Sequence, residues 1–183
     1  SGLLKGIIDS RLYWMQHQYP EALATLNQTN PMAFELAEIQ RIEIFLAQNN
    51  GEQALTHLEF LNQHELSPWL NEVKSAYDLR LTSLWGKFAI QFPWIYLRST
   101  KYGHLGEIKK QEWLQQLLLN FDQPDIESLQ NLQQRYLDLG GQIYNRNYTI
   151  KMLWLKVLSR IPEMSEQHEP LALHLLDQQF NQD

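Results

Sequence analysis

The sequence contains no cysteine, which excludes disulfide frameworks, thiolate zinc sites and cysteine nucleophiles. Glycine and proline are few, 8 and 7 among 183 residues, and they fall mostly where helices would start, stop or bend. No apolar run reaches the roughly 18 residues that a membrane-spanning helix needs, so we expect a soluble chain. Basic residues are also outnumbered, with 15 Lys and Arg against 21 Asp and Glu, a net charge of −6. This balance disfavours a general nucleic-acid binder, because phosphate contacts depend on cationic surface.

Helix-forming residues dominate what is present. Leu and Gln are abundant, long runs of β-branched residues are missing, and apolar residues recur at three- and four-residue steps, as in an amphipathic helix. We predict an all-α protein with about ten helices. The predicted helices cover residues 3–17, 21–28, 32–48, 52–63, 68–81, 83–100, 107–121, 125–139, 147–160 and 165–180. Ser67 is the predicted N-cap of the fifth, Phe92-Pro93 is predicted to kink or split the sixth, and Gly51 can supply a positive φ in the turn before the fourth.

A repeat of 32 residues links the first helices. Glu21–Leu26 aligns with Gln53–Leu58, which places Ala22 opposite Ala54, and a further step of 32 reaches Gly86. A small residue at this position would let the second helix of a pair approach the first closely. Helix pairs with a period near 34 match the tetratricopeptide pattern. We therefore predict one tetratricopeptide-like antiparallel helix-pair solenoid over residues 1–183; a compact helical bundle is the alternative. Ser1-Gly2 is typical of a tag remnant, so we expect a fragment of a longer protein.

In a solenoid, the first helix of each pair lines the concave face, where partners bind. The 32-residue offset puts Arg11, Glu43 and Ser75 in one row and Trp14, Leu46 and Asp78 in the next. The plainer interpretation is that Trp14 and Leu46 belong to the core and that the charged residues are solvated.

Aromatic residues crowd around Pro93 and form a second candidate surface, since Trp and Tyr are favoured at binding hot spots. The alternative is that they pack a junction between two parts of the solenoid. The candidate partner-binding residues are Arg11, Glu43, Ser75, Asp78, Trp85, Trp94 and Tyr96.

Catalytic and metal-binding patterns are weak. His57 and His64 lie seven apart with Glu65 adjacent, but the two-histidine, one-glutamate signature of zinc enzymes is missing. His104 is a conceivable axial haem ligand, and His168 and His174 are expected on a solvated helix start. The acidic pairs Glu35 with Glu38 and Asp122 with Asp125 suit solvated faces or helix N-termini. We assign no catalytic, cofactor-binding or metal-binding residue and predict no enzyme activity or cofactor.

Several structural residues resemble the tetratricopeptide region of the HemY family of bacterial inner-membrane proteins. They are the turn and helix Asn50–Leu55 with Leu58, then Pro68 and Leu70, Leu84-Trp85 leading to Phe92-Pro93 and Tyr96-Leu97, Trp113, and Leu153–Leu155 before Ile161-Pro162. In that family a helix broken by proline follows a tryptophan, as Trp85 and Pro93 do here.

This resemblance implies a non-catalytic scaffold linked to late haem and other tetrapyrrole biosynthesis, with protein partners such as the enzymes of haem synthesis. It further implies an inner-membrane protein whose anchor lies outside these residues. The alternative function is a helical-repeat domain of another cell-envelope protein, or the accessory superhelix of a lytic transglycosylase.

Overall fold

The computed structural model describes residues 2–106, 108–110 and 112–113. Contacts divide the chain into two units, Ser1–Ser99 and Thr100–Asp183. The described residues are helical with no strand, which confirms the all-α prediction for them. The first unit contains α1 (Gly2–Met15), α2 (Tyr19–Leu26), α3 (Phe34–Ala47), α4 (Gly51–Gln63), α5 (Lys74–Gln91) and α6 (Pro93–Tyr96), with 3-10 helices Pro31–Ala33 before α3 and Pro68–Val73 before α5. In the second unit, α7 covers Thr100–Gly103.

The helices of the first unit pack as successive neighbours in the chain. α1 packs on α2, α3 on α4 and α5 on α6, while α1 also contacts α3, and α3 contacts α5. The shared core between the first two pairs contains Ala22, Leu26, Ala37 and Ile44. Ser10, fully buried, donates a hydrogen bond to the Ala22 carbonyl at 2.8 Å. A buried hydroxyl needs such a partner, so this bond fixes α1 against α2.

The turns inside the first two pairs have the same geometry. His17 and Asn49, 32 residues apart, both adopt left-handed backbone, with φ of 59° and 56°. Gln18 N bonds to the Tyr13 carbonyl at 2.9 Å and Asn50 N bonds to the Phe45 carbonyl at 2.8 Å. The 32-residue step found in the sequence therefore recurs in the structure at these two turns, and α1 and α3 also have bounds 32 residues apart.

The glycines behave differently from the prediction. Gly51 lies inside α4, where a Cβ would come within 2.6 Å of the Phe92 ring and 2.7 Å of Ile95, so its role is close packing. Asn49 supplies the positive φ instead. Gly86 was expected at a close helix contact, but it is exposed in α5 and a Cβ there would meet nothing within 4 Å. That expectation was wrong, because no neighbouring helix approaches α5 at Gly86.

The predicted boundary between residues 81 and 83 is also wrong, since α5 runs unbroken from Lys74 to Gln91. The predicted break at Phe92-Pro93 is confirmed: α5 ends before it and α6 starts at Pro93. Ser67 stands at the N-cap position of the 3-10 helix, but its side chain makes no capping hydrogen bond. The predicted helices beyond residue 113 lie outside the described residues. Across the described residues, no helix combines the length and apolar character required to cross a bilayer.

Candidate functional site

A groove of about 640 Å³ lies along the face shared by α1, α3 and α5. Three cationic residues line it, one from α1 and two from α5: Arg11, Arg80 and Lys87. Its apolar lining includes Trp14, Leu46, Leu84 and Ile90. The groove therefore combines basic and apolar groups contributed by α1, α3 and α5.

Glu43 is the acidic residue of the groove lining. Its carboxylate is 9% exposed and lies 3.2 Å from the Arg11 guanidinium, and it also forms an ion pair with Arg80. Arg11 in turn lies over the Trp14 ring, 4.2 Å from the ring centroid, in cation–π geometry. One buried carboxylate thus connects α1, α3 and α5, because each arginine comes from a different neighbouring helix.

The end of α5 is tied to the end of α3 at the same groove. The Gln91 side-chain amide donates to the Leu46 carbonyl at 2.8 Å and lies 3.3 Å from the Asn49 side-chain oxygen. Ile90, by contrast, is 70% exposed. The groove therefore has a fixed frame with an apolar side chain available to solvent.

The structure brings together only part of the predicted row. Arg11 and Glu43 meet, as the 32-residue offset requires. Ser75 and Asp78 are exposed residues of α5 outside the groove lining, and Asp78 bonds to Lys74 at 2.7 Å. Arg80 occupies the place that the offset gave to Ser75. α4 has 13 residues where α2 has 8, and these five extra residues move α5 along the chain.

A signal for this shift exists in the sequence. The two cap-and-proline pairs, Asn30-Pro31 and Ser67-Pro68, are 37 residues apart, and the same step leads from Glu43 to Arg80. The sequence analysis continued the 32-residue step from Ala54 to Gly86 and therefore did not detect the 37-residue step. Lys87 and Ile90 also line the groove and were missed; they lie about two and three helical turns beyond Arg80 on α5.

The aromatic candidates lie in the packed interior. Trp85, Trp94 and Tyr96 are 3%, 8% and 6% exposed. Trp85 makes edge contacts with Phe88 and Tyr96, with ring centroids 6.0 and 6.2 Å apart. This placement matches the alternative in which the cluster packs a helix junction, and it leaves these side chains little accessible surface for a partner.

Two further glutamates of α3, Glu35 and Glu38, are buried. The sequence suggested solvated faces or helix N-termini: Glu35 does lie in the first turn of α3, but neither side chain is solvated. Glu38 pairs with His57 of α4 and with Arg41. Burial on its own would raise the pKa of Glu38, but the hydrogen bonds and charges of His57 and Arg41 outweigh it and lower the pKa below its ordinary value of 4.5. His57 also stacks on Phe45 at 5.4 Å.

Glu35 fixes the connection that follows α4. It accepts a hydrogen bond from Ser67 N at 2.9 Å and lies 3.3 Å from His64 Nε2. Burial opposes its ionisation, yet the bonds from Ser67 and His64 lower its pKa. Burial, followed by the charges of Glu35 and Asp78, raises the pKa of Tyr77 to about 12. Glu35 is fully buried, so its bonds hold the segment after α4 against α3.

Among the described residues, no three His, Asp or Glu side chains are grouped as a metal site would require. His104 is exposed. His168, His174, Asp122 and Asp125 lie outside the described residues. The chain matches no protein-family model, and comparison with curated proteins and with solved structures finds no similar protein.

Proposed function

We propose that this chain is a non-catalytic protein-interaction scaffold, built as a tetratricopeptide-like stack of helix pairs, from a HemY-like inner-membrane protein linked to late haem and other tetrapyrrole biosynthesis. The observation that carries the interaction role is the groove on α1, α3 and α5, with cationic and apolar groups side by side. Interfaces of this kind use an apolar centre with polar groups around it.

The equivalent turns at His17 and Asn49 support the repeat architecture. So do the contacts of α1 with α3 and of α3 with α5, since stacked pairs bring their first helices into one row. In a tetratricopeptide-like stack that row lines the concave surface. The groove then occupies the surface through which such repeats bind their partners.

The placement of the acidic groups supports a role without catalysis. Glu35 and Glu38 are sealed between helices, and Glu43 is engaged by two arginines. A general acid or base must reach the proton that it transfers. None of these three carboxylates is accessible for that task.

Individual structural residues support the proposed link to the HemY family. Trp85 lies within α5, and this helix ends directly before Phe92-Pro93, as the resemblance implies. Leu70 is buried within the 3-10 helix that Pro68 opens. In this proposal the membrane anchor belongs to a part of the protein outside residues 1–183, and the domain holds enzymes of tetrapyrrole synthesis near the membrane.

A pull-down from bacterial membranes tests the proposal with two matched variants. Ile90→Asp puts a charge on the exposed apolar residue of the groove, whereas Leu79→Asp makes the same change on α5 at a residue that is equally exposed and outside the groove lining. We expect enzymes of late haem synthesis to be enriched by the wild type and by Leu79→Asp, and lost with Ile90→Asp.

The opposite results are equally informative. No enrichment of those enzymes over an unrelated helical-repeat protein contradicts the tetrapyrrole role. Enrichment of peptidoglycan enzymes instead favours the cell-envelope alternative. Equal enrichment by both variants contradicts a role for the groove.

A further inference from the structure

We propose that the groove on α1, α3 and α5 binds acidic peptide segments that also carry apolar side chains, with Arg11, Arg80 and Lys87 holding the carboxylates. This inference rests on the interaction role proposed above and names the class of partner.

The local charge of the groove is opposite to that of the chain. Its lining has three cationic side chains and one carboxylate, a formal balance of 3 − 1 = +2, while the whole chain carries −6. Arg11 and Lys87 come from different helices, so the positive charge is spread along the groove. A ligand with several carboxylates complements this arrangement, and such complementarity governs both encounter and specificity.

Donors remain free after the internal ion pairs form. The side chains of Arg11 and Arg80 are 52% and 45% exposed although both contact Glu43. A guanidinium has five N–H donors, and Glu43 has only two oxygens to share between two arginines. Lys87 is exposed, and no described acidic residue pairs with it. These groups can therefore donate hydrogen bonds to further carboxylates without breaking the contacts that join the helices.

The apolar groups in the groove favour a peptide over a small anion as the ligand. Ile90 is 70% exposed, and the half-buried Trp14 ring lies beneath Arg11. Burying such surface contributes to binding only if the ligand brings apolar side chains of its own. The volume of about 640 Å³ also exceeds what one small anion fills.

The same features disfavour a nucleic acid. Binding a polyanion gains most of its free energy from many phosphate contacts, and the groove offers three cations within a chain of negative charge. A short acidic peptide needs only a few charge pairs, and its apolar side chains can pack against the apolar lining of the groove. We therefore assign the groove to a peptide.

The test measures fluorescence anisotropy of a labelled peptide of about a dozen residues in which Glu and Leu are spaced by Ser. Its control replaces every Glu by Gln. The protein variants are Lys87→Glu, in the groove, and Lys74→Glu, which makes the same charge change at an exposed position of α5 outside the lining. Circular dichroism checks that both variants fold.

At low salt, we expect the wild type to bind the Glu peptide at least tenfold more tightly than the Gln peptide. Lys87→Glu should weaken binding about tenfold, and Lys74→Glu by less than about threefold. Affinity for the Glu peptide should fall as salt rises, because the charges are solvent-exposed.

Three outcomes overturn the inference. Equal weakening by Lys87→Glu and Lys74→Glu indicates unspecific attraction, and tighter binding of an oligouridine of matched charge indicates a nucleic-acid site. Equal binding of the Glu and Gln peptides, lost in Ile90→Asp, overturns the acidic specificity but leaves the interaction role intact. Failure of both this assay and the membrane pull-down contradicts the two proposals together.

Discussion

At the scale of single residues, the glycines show how the environment decides what a residue does. Gly51 and Gly86 both lie within helices and both have negative φ. Around Gly51 the Phe92 ring and Ile95 fill the space of a Cβ, whereas the surroundings of Gly86 are open. Sequence spacing singled out Gly86, but spacing carries no information about which helix packs against a position.

We predict opposite effects for the two alanine substitutions. Gly51→Ala should lower the free energy of unfolding by about 1–3 kcal/mol, because the added methyl group overlaps an aromatic ring. Gly86→Ala should raise it by about 0.5–1 kcal/mol, since alanine has the higher helix propensity and restricts the unfolded chain. Urea unfolding followed by circular dichroism measures both. Equal effects would mean that Phe92 does not pack on Gly51.

At the scale of elements, proline fixed the boundaries that could be predicted. Pro31, Pro68 and Pro93 each stand at the start of a helix, because proline acts on its own φ and on the residue before it. These effects are local, so sequence alone reveals them. The false boundary near residue 82 had no such support, since neither proline nor glycine stands between Leu81 and Ser83 and α5 continues through them.

The groove, like the helix boundaries, could be predicted only in part from the sequence. The pairing of Arg11 with Glu43 follows from the 32-residue step, and the structure brings the two side chains together. Arg80 required the 37-residue step instead. Burial of Glu35 and Glu38 was not predictable from periodicity, because carboxylates are buried only where partners such as His57 neutralise them.

The turn after α1 yields a second prediction. His17 has a φ of 59°, a conformation that costs most side-chain-bearing residues about 1–2 kcal/mol. His17→Gly should raise the free energy of unfolding by about 0.5–1 kcal/mol. Its control is Gln16→Gly, one residue earlier with negative φ, which should give no gain. Thermal unfolding of the two variants distinguishes them. His17→Gly also removes the exposed contact between His17 and Tyr19, so left-handed geometry at this turn is contradicted if His17→Gly loses as much stability as Gln16→Gly.

At the scale of the whole molecule, the buried glutamates connect stability to pH. The pKa values of Glu35 and Glu38 both lie below 4.5 in the folded protein, for Glu38 because His57 and Arg41 outweigh burial. The carboxyls of the unfolded chain titrate near 4.5. At a pH between this value and the lowered pKa values of the folded protein, the unfolded chain therefore binds more protons than the native state. The stabilisation is complete above about pH 4.5 and is lost as the pH falls through the lowered pKa values.

We predict that the free energy of unfolding falls steeply below about pH 4.5 and that Glu38→Gln makes this fall shallower. The variant has one fewer group to protonate, and it should also lose about 1–3 kcal/mol at pH 7, because His57 and Arg41 lose their charged partner. Glu65→Gln is the control, since Glu65 is exposed. Urea titrations at closely spaced pH values measure the slope. If Glu38→Gln and the wild type lose stability in parallel on acidification, the ionised Glu38 is not one of the groups that hold α3 against α4.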